Sequence, residues 1–196
     1  HGVPLTQRHV RTAELCGVAQ FVTVPVEHIA DSHGLILRHS NWSLAFSGDT
    51  TPCAAFVRAA ADVTVLIHEA TLEDGMELDA LQKNHTTTSQ ALQVAEDMRA
   101  RFVILTHFSQ RYPKIPSLPP SAHADHVVIS FDLMTLHFDQ LPALPLLTPV
   151  LRELLEEVEE VDAAAADADA DADGVDGAAV TSTAAPSNAA KKVKRK

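Results

Sequence analysis

Two short runs free of charge, residues 63–67 (V-T-V-L-I) and 102–106 (F-V-I-L-T), constrain the fold of this chain more than any other feature. A strand with one face in water alternates apolar and polar residues. A run that stays apolar through most positions is expected where a sheet is covered on both faces. Between the two runs, Ala91, Leu92, Ala95 and Met98 recur at helical spacing, and Thr87 or Thr88 stands where an N-cap belongs. Buried strands alternating with helices imply an α/β layered core. Residues 21–26 (F-V-T-V-P-V) and 35–39 read as strands around a turn at Ser32-His33-Gly34. Residues 42–46 read as a further short strand, and 53–61 as a helix with Pro52 near its first turn. Residues 127–131 and 134–138, flanking Asp132-Leu133, read as a closing hairpin.

Composition narrows the partners. The 196 residues carry a formal net charge of −11, which argues against a chain that holds nucleic acid through its own basic surface. Cys16 and Cys53 form no disulfide framework and have no metal-ligand spacing. No run of eighteen apolar residues is present, so no membrane span is expected. The chain opens His1-Gly2-Val3, with no signal or transit pattern, and this predicts a partial sequence.

Residues 151–161 are expected to extend as a short helix, with Leu151, Leu154, Leu155 and Val158 on one side. From 162 onward the run A-A-A-A-D-A-D-A-D-A-D lacks the apolar surface to offset ordering entropy, so 162–196 is expected to be a disordered acidic tail. Its end, Lys191-Lys192-Val193-Lys194-Arg195-Lys196, has the composition of a nuclear-import signal and equally of a solubilising basic end.

The chemistry gathers where apolar runs stop. Asp49 follows F-S-G, Glu69 follows the run at 63–67, His107 follows 102–106, and His28 follows 21–26. Strand ends are where α/β folds place reactive groups. A carboxylate such as Asp49 can bridge or hold metal ions, although an isolated S-G-D-T also describes a loop capping the next helix. Two imidazoles with a carboxylate form a ligand set suited to zinc or manganese. Glu69 and His85 form a second pair, in which a carboxylate orients an imidazole for proton transfer. The alternative is a helix-start His beside an exposed Glu. His68 is expected to face away from Glu69 and to be structural. His9, His33, His39, His123, His126 and His137 show no partner pattern.

Four segments in order, S-G-D-T-T-P-C, L-I-H-E-A-T-L-E-D-G, K-N-H-T-T-T-S-Q-A and L-T-H-F-S-Q-R-Y-P-K-I-P, resemble the C-terminal half of long-form tRNase Z (ribonuclease Z). The likeness runs from about residue 24 to Pro149. It implies the C-terminal half of a metallo-β-lactamase αββα sandwich over 1–150. It also implies a zinc-dependent endonuclease that removes the 3′ trailer of precursor tRNA, with two zinc ions per complete site. Carried over by position, His28, Asp49 and His107 match metal ligands, with Asp49 bridging. Glu69 and His85 match the acid and histidine of loops specific to tRNase Z. The implied reaction is attack of a metal-activated hydroxide on phosphorus, with His85, steadied by Glu69, helping to protonate the leaving 3′ oxygen.

Three departures stand out. Ile29 replaces a cysteine that is not a ligand, Thr86 replaces a serine, and no H-x-H-x-D-H run occurs in the sequence. Without that run the ligand set is incomplete, so a fragment inactive by itself is expected, needing the missing half for precursor tRNA. Nucleus and mitochondrion are the compartments the resemblance implies. Alternatives are another metallo-β-lactamase-fold hydrolase, or a non-catalytic remnant or docking product.

Overall fold

A computed structural model describes residues 11, 13–109, 118, 125–147, 149, 150 and 153. Contacts divide the chain at 155/156, and every described residue lies in the first unit. The expected short helix at 151–161, the acidic tail and its basic end therefore lie outside the described residues, apart from Glu153.

Six strands form one sheet in sequence order: β1 (Gln20–Pro25), β2 (His33–Arg38), β3 (Ser43–Phe46), β4 (Val65–Glu69), β5 (Phe102–Thr106) and β6 (Val127–Ile129). The pairs β1–β2 and β2–β3 are antiparallel, and β3 to β6 run parallel. Among the described residues, α1 (Ala54–Ala59) supplies the crossover from β3 to β4, and α2 (Glu77–Lys83) and α3 (Thr88–Met98) that from β4 to β5. It follows that β1, β3, β4 and β5 all point the same way and end at one edge of the sheet.

The apolar runs are explained by two cores. Along β4 and β5, Leu66, Val103 and Leu105 join a cluster with Ile36, Phe56, Ala91 and Met98. The alternate residues, Val65, Phe102 and Ile104, join a second cluster with Val128, Leu141 and Leu144. A strand with a core on each face has no position left for a solvated side chain.

The helix signals are met locally. Thr87 caps α3, its hydroxyl accepting from Gln90 N at 3.4 Å while Gln90 Oε1 accepts from Thr87 N at 3.0 Å. By contrast, α2 has no side-chain cap and buries only Ala80, so its amphipathic signal is weak and the sequence pattern did not reveal it.

Three expectations need correction. The strand expected at 63–67 is Val65–Glu69, because pairing with β5 continues to Glu69–Thr106. The turn expected at Ser32-His33-Gly34 closes earlier, with Ser32 N donating to Ile29 O and Asp31 at φ 66°. His33 and Gly34 instead pair with Pro25 and Val24 inside the ladder. The closing hairpin is absent: β6 pairs parallel to β5, and residues 134–138 form no strand. Their alternation has another cause, since Met134 and Leu136 lie as a loop against the second core.

Gly34 serves close approach rather than turning. A Cβ built there would lie 2.7 Å from Phe56 Cε2 and 3.2 Å from the Phe46 carbonyl oxygen. Phe56 is fully buried and cannot yield cheaply. Gly34→Ala should therefore destabilise the fold by about 1–3 kcal/mol, read as a lower urea midpoint at unchanged slope.

Candidate active site

The shared edge of β1, β3, β4 and β5 gathers all five residues singled out in the sequence. His28 lies just beyond β1, Asp49 beyond β3, Glu69 at the last position of β4, and His107 directly after β5. His85 arrives from the connection between α2 and α3.

Asp49 faces two imidazoles with different oxygens. Its Oδ2 is 4.0 Å from His28 Nε2 and its Oδ1 is 3.6 Å from His107 Nδ1. Gly48, at φ 62°, supplies the left-handed turn that lifts Asp49 out of the sheet edge. The His28 ring donates from Nδ1 to the Asn84 carbonyl oxygen at 2.9 Å. A carbonyl can only accept, so Nδ1 carries the hydrogen and Nε2 keeps a free lone pair on the side of Asp49.

Glu69 is the most embedded group of the site, 1% exposed. Five donors converge on its oxygens. Oε1 accepts from Thr50 N at 2.7 Å and from His85 Nδ1 at 2.7 Å. Oε2 accepts from Thr71 Oγ1 at 2.7 Å, Thr86 N at 3.1 Å and Thr71 N at 3.3 Å. An ionised carboxylate accepts all of these, which is how a buried charge is tolerated. The exposed Glu considered from the sequence is therefore excluded. Its bond to His85 Nδ1–H leaves His85 Nε2 as the atom free for chemistry.

Thr71 links this carboxylate to the third imidazole. Its hydroxyl hydrogen goes to Glu69, so the oxygen accepts from His107 Nδ1 at 2.7 Å. The rings of His28 and His85 are 4.8 Å apart by centroid, and those of His85 and His107 are 5.5 Å apart.

Two sets of potential ligand atoms occur among the described residues, His28–Asp49–His85 and Glu69–His85–His107, each within 4.8 Å. Imidazole nitrogens with a carboxylate, one ring already oriented by an outer hydrogen bond, are a donor set that fits zinc. The sequence reading assigned His28, Asp49 and His107 to metal and His85 to proton transfer. The geometry brings all four together and puts His85 within reach of both sets.

Sequence reasoning did not single out Thr50, Thr71, Thr86 or Asn84. All four stood inside the quoted motifs, but nothing in a lone threonine or asparagine announces which group from another segment its amide or hydroxyl will meet. The Thr86 hydroxyl is spent on the Thr50 carbonyl at 2.5 Å. Of the other histidines, His33 bonds Asp31 O, His39 stacks on Trp42 and His126 bonds Asp125. His9 and His123 lie outside the described residues.

His68 is fully buried, on the same face of β4 as Leu66 of the first core. Its Nδ1 donates to Glu69 O at 2.7 Å, and Nε2 has no hydrogen-bond partner among the described residues. Burial is the main influence on this ring and lowers its pKa below the ordinary 6.5, outweighing the bond to Glu69.

Comparison with known proteins points to one family. The profile of the beta-lactamase superfamily domain matches residues 4–108. The zinc phosphodiesterase ELAC protein 2 of Rattus norvegicus is 46% identical over 150 residues, covering 76% of this chain and 18% of that protein. The mitochondrial tRNase Z TRZ3 of Arabidopsis thaliana is 38% identical over 160 residues, covering 75% of this chain and 18% of that protein. The crystal structure of a long-form RNase Z from yeast superposes with a TM-score of 0.67 at 30% identity, covering 76% of this chain and 22% of that one. This chain thus spans about a fifth of the length of the curated relatives it matches.

Two measurements follow from the buried groups. Glu69→Gln keeps the volume but turns an NH2 group toward amide and hydroxyl donors, and should cost about 3 kcal/mol in urea unfolding. For His68, the unfolded ring takes up a proton below pH 6.5 that the folded ring excludes. Stability should therefore fall as pH drops below 6.5, with a slope from this group of up to about 1.4 kcal/mol per pH unit. His68→Gln should remove that part of the slope in urea titrations across this range.

Proposed function

The chain belongs to the β-lactamase superfamily and has the metallo-β-lactamase fold, and from that premise we propose that it is the C-terminal catalytic part of a zinc-dependent endonuclease that removes the 3′ trailer from precursor tRNA. One observation carries the reading: the Asp49 carboxylate lies between His28 and His107, and the Glu69–His85 pair is seated beside it. The names of the relatives, zinc phosphodiesterase and tRNase Z, support the substrate and the metal.

His28, Asp49 and His107 would hold zinc, with Asp49 serving two ions in a complete site. Bound zinc supplies Lewis acidity toward a phosphoryl oxygen and lowers the pKa of water to near neutrality. The remaining work belongs to side chains. His85 presents Nε2 to the leaving 3′ oxygen, and Glu69, at 2.7 Å from Nδ1, holds the ring in place. The products are a tRNA with a 3′ hydroxyl and a trailer with a 5′ phosphate. A polyanionic substrate is not gripped by a surface of net charge −11, so basic surface for tRNA lies on other parts of the complete enzyme. The basic run 191–196 and the name of the Arabidopsis relative support a nuclear or mitochondrial setting.

No H-x-H-x-D-H run is present, so this chain presents fewer protein donors than catalytic zinc sites use, and it should bind zinc weakly and cleave nothing by itself. Joined to a segment carrying that run, it should cleave precursor tRNA. In that enzyme Asp49→Ala should abolish cleavage, whereas His137→Ala, on the exposed loop after β6, should leave it unchanged. Robust turnover by the 196-residue chain, or equal effects of the two substitutions, would overturn the reading.

A further inference from the structure

Asn84 closes a reciprocal pair of hydrogen bonds with His28 across 56 residues of sequence. The His28 ring donates from Nδ1 to the Asn84 carbonyl oxygen at 2.9 Å, and the Asn84 side chain donates from Nδ2 to the His28 carbonyl oxygen at 2.8 Å. We propose that Asn84 is a positioning residue that holds His28 in the Nδ1–H tautomer and so aims its free Nε2 at Asp49.

The backbone makes this possible. Asn84 caps α2 in the left-handed conformation, φ 55° and ψ 48°, with its own N–H bonded back to Ala80 and Leu81. Asparagine is among the few residues other than glycine that visit this region readily. The reversed turn places its carbonyl within reach of His28 instead of continuing the helix. The same turn sends the chain directly into His85, whose N–H bonds Ala80 O at 2.8 Å. One residue thus sets both the tautomer of His28 and the entry of His85, and the two rings meet at 4.8 Å.

Glycine would keep the left-handed turn but lose the side-chain donor. Aspartate would keep the size and the turn, but its ionised carboxylate can only accept and would face the His28 carbonyl unpaired. Both residues of the clamp lie outside the cores, so losing it should alter the ring more than the fold. In metal sites, outer hydrogen bonds of this kind change affinity by roughly 10–100-fold.

The test uses the full 196-residue chain, 15N-labelled and metal-free at about pH 8, where imidazoles are neutral. Long-range 1H–15N spectra report which ring nitrogen of His28 carries the hydrogen. The unsubstituted chain should show Nδ1–H. Asn84→Gly keeps the left-handed turn and its carbonyl and should retain Nδ1–H, whereas Asn84→Val, whose branched side chain disfavours that turn, should withdraw the carbonyl and shift His28 toward Nε2–H. Nε2–H in the unsubstituted chain, or an unchanged Nδ1–H in Asn84→Val, overturns the proposal. A second arm, zinc titration, rests on His28 being a ligand, as proposed above, and should show affinity lowered by about 10-fold or more in Asn84→Val. A tautomer shift with equal zinc binding overturns the ligand assignment of His28 and leaves the clamp standing.

Discussion

The carboxylate of Glu69 is the interaction on which the site depends. It sits at the end of a central strand, almost without exposure, and receives donors from three separate segments: Thr50 after β3, Thr71 after β4, and His85 with Thr86 before α3. Burying an ionised group costs several kcal/mol unless donors replace its water. Here amides, a hydroxyl and an imidazole do so, and each donor is fixed in turn by the loop that carries it. The carboxylate therefore acts as a common anchor for the loops that bear Asp49, Thr71 and His85. The proton-transfer and metal-binding roles proposed for these residues share one source of order.

The sheet decides which loops can meet there. Because β1, β3, β4 and β5 run in one direction, their carboxyl ends emerge side by side at one edge. Thr71 then passes the influence of Glu69 to His107, and Asn84 passes the order of the α2 cap to His28. Outer bonds to Asn84, Thr71 and Glu69 give His28, His107 and His85 each a defined tautomer. In a metal site that definition matters as much as the identity of the ligand, since only one nitrogen of each ring offers a lone pair.

Much of this was legible in the sequence. The run at 102–106 became β5 without change, since two cores leave no polar position to blur its ends. The cap at Thr87 was readable because its partner Gln90 is three residues away. Where the reading failed, the deciding partner was distant. Gly34 resembled a turn glycine, and only the ring of Phe56 above it shows why a side chain is excluded. Residues 134–138 alternate like a strand, but the edge of β5 was taken by a parallel partner, and the alternation serves a loop across the second core. The helix α2 escaped notice because it buries one residue.

By itself the sequence determined the α/β class, the run that forms β5 and the inventory of side-chain types able to bind a metal or move a proton. Those follow from local periodicity and from side-chain chemistry, both of which are carried within a few residues. Tertiary structure decided which oxygen of Asp49 faces which imidazole, that Glu69 is buried and shared by five donors, and which nitrogen of His28 is free. Apart from the two donors of Thr71, these are properties of contacts between segments 16 to 58 residues apart. No local pattern encodes them, because each exists only once the sheet has brought its strand ends to one edge.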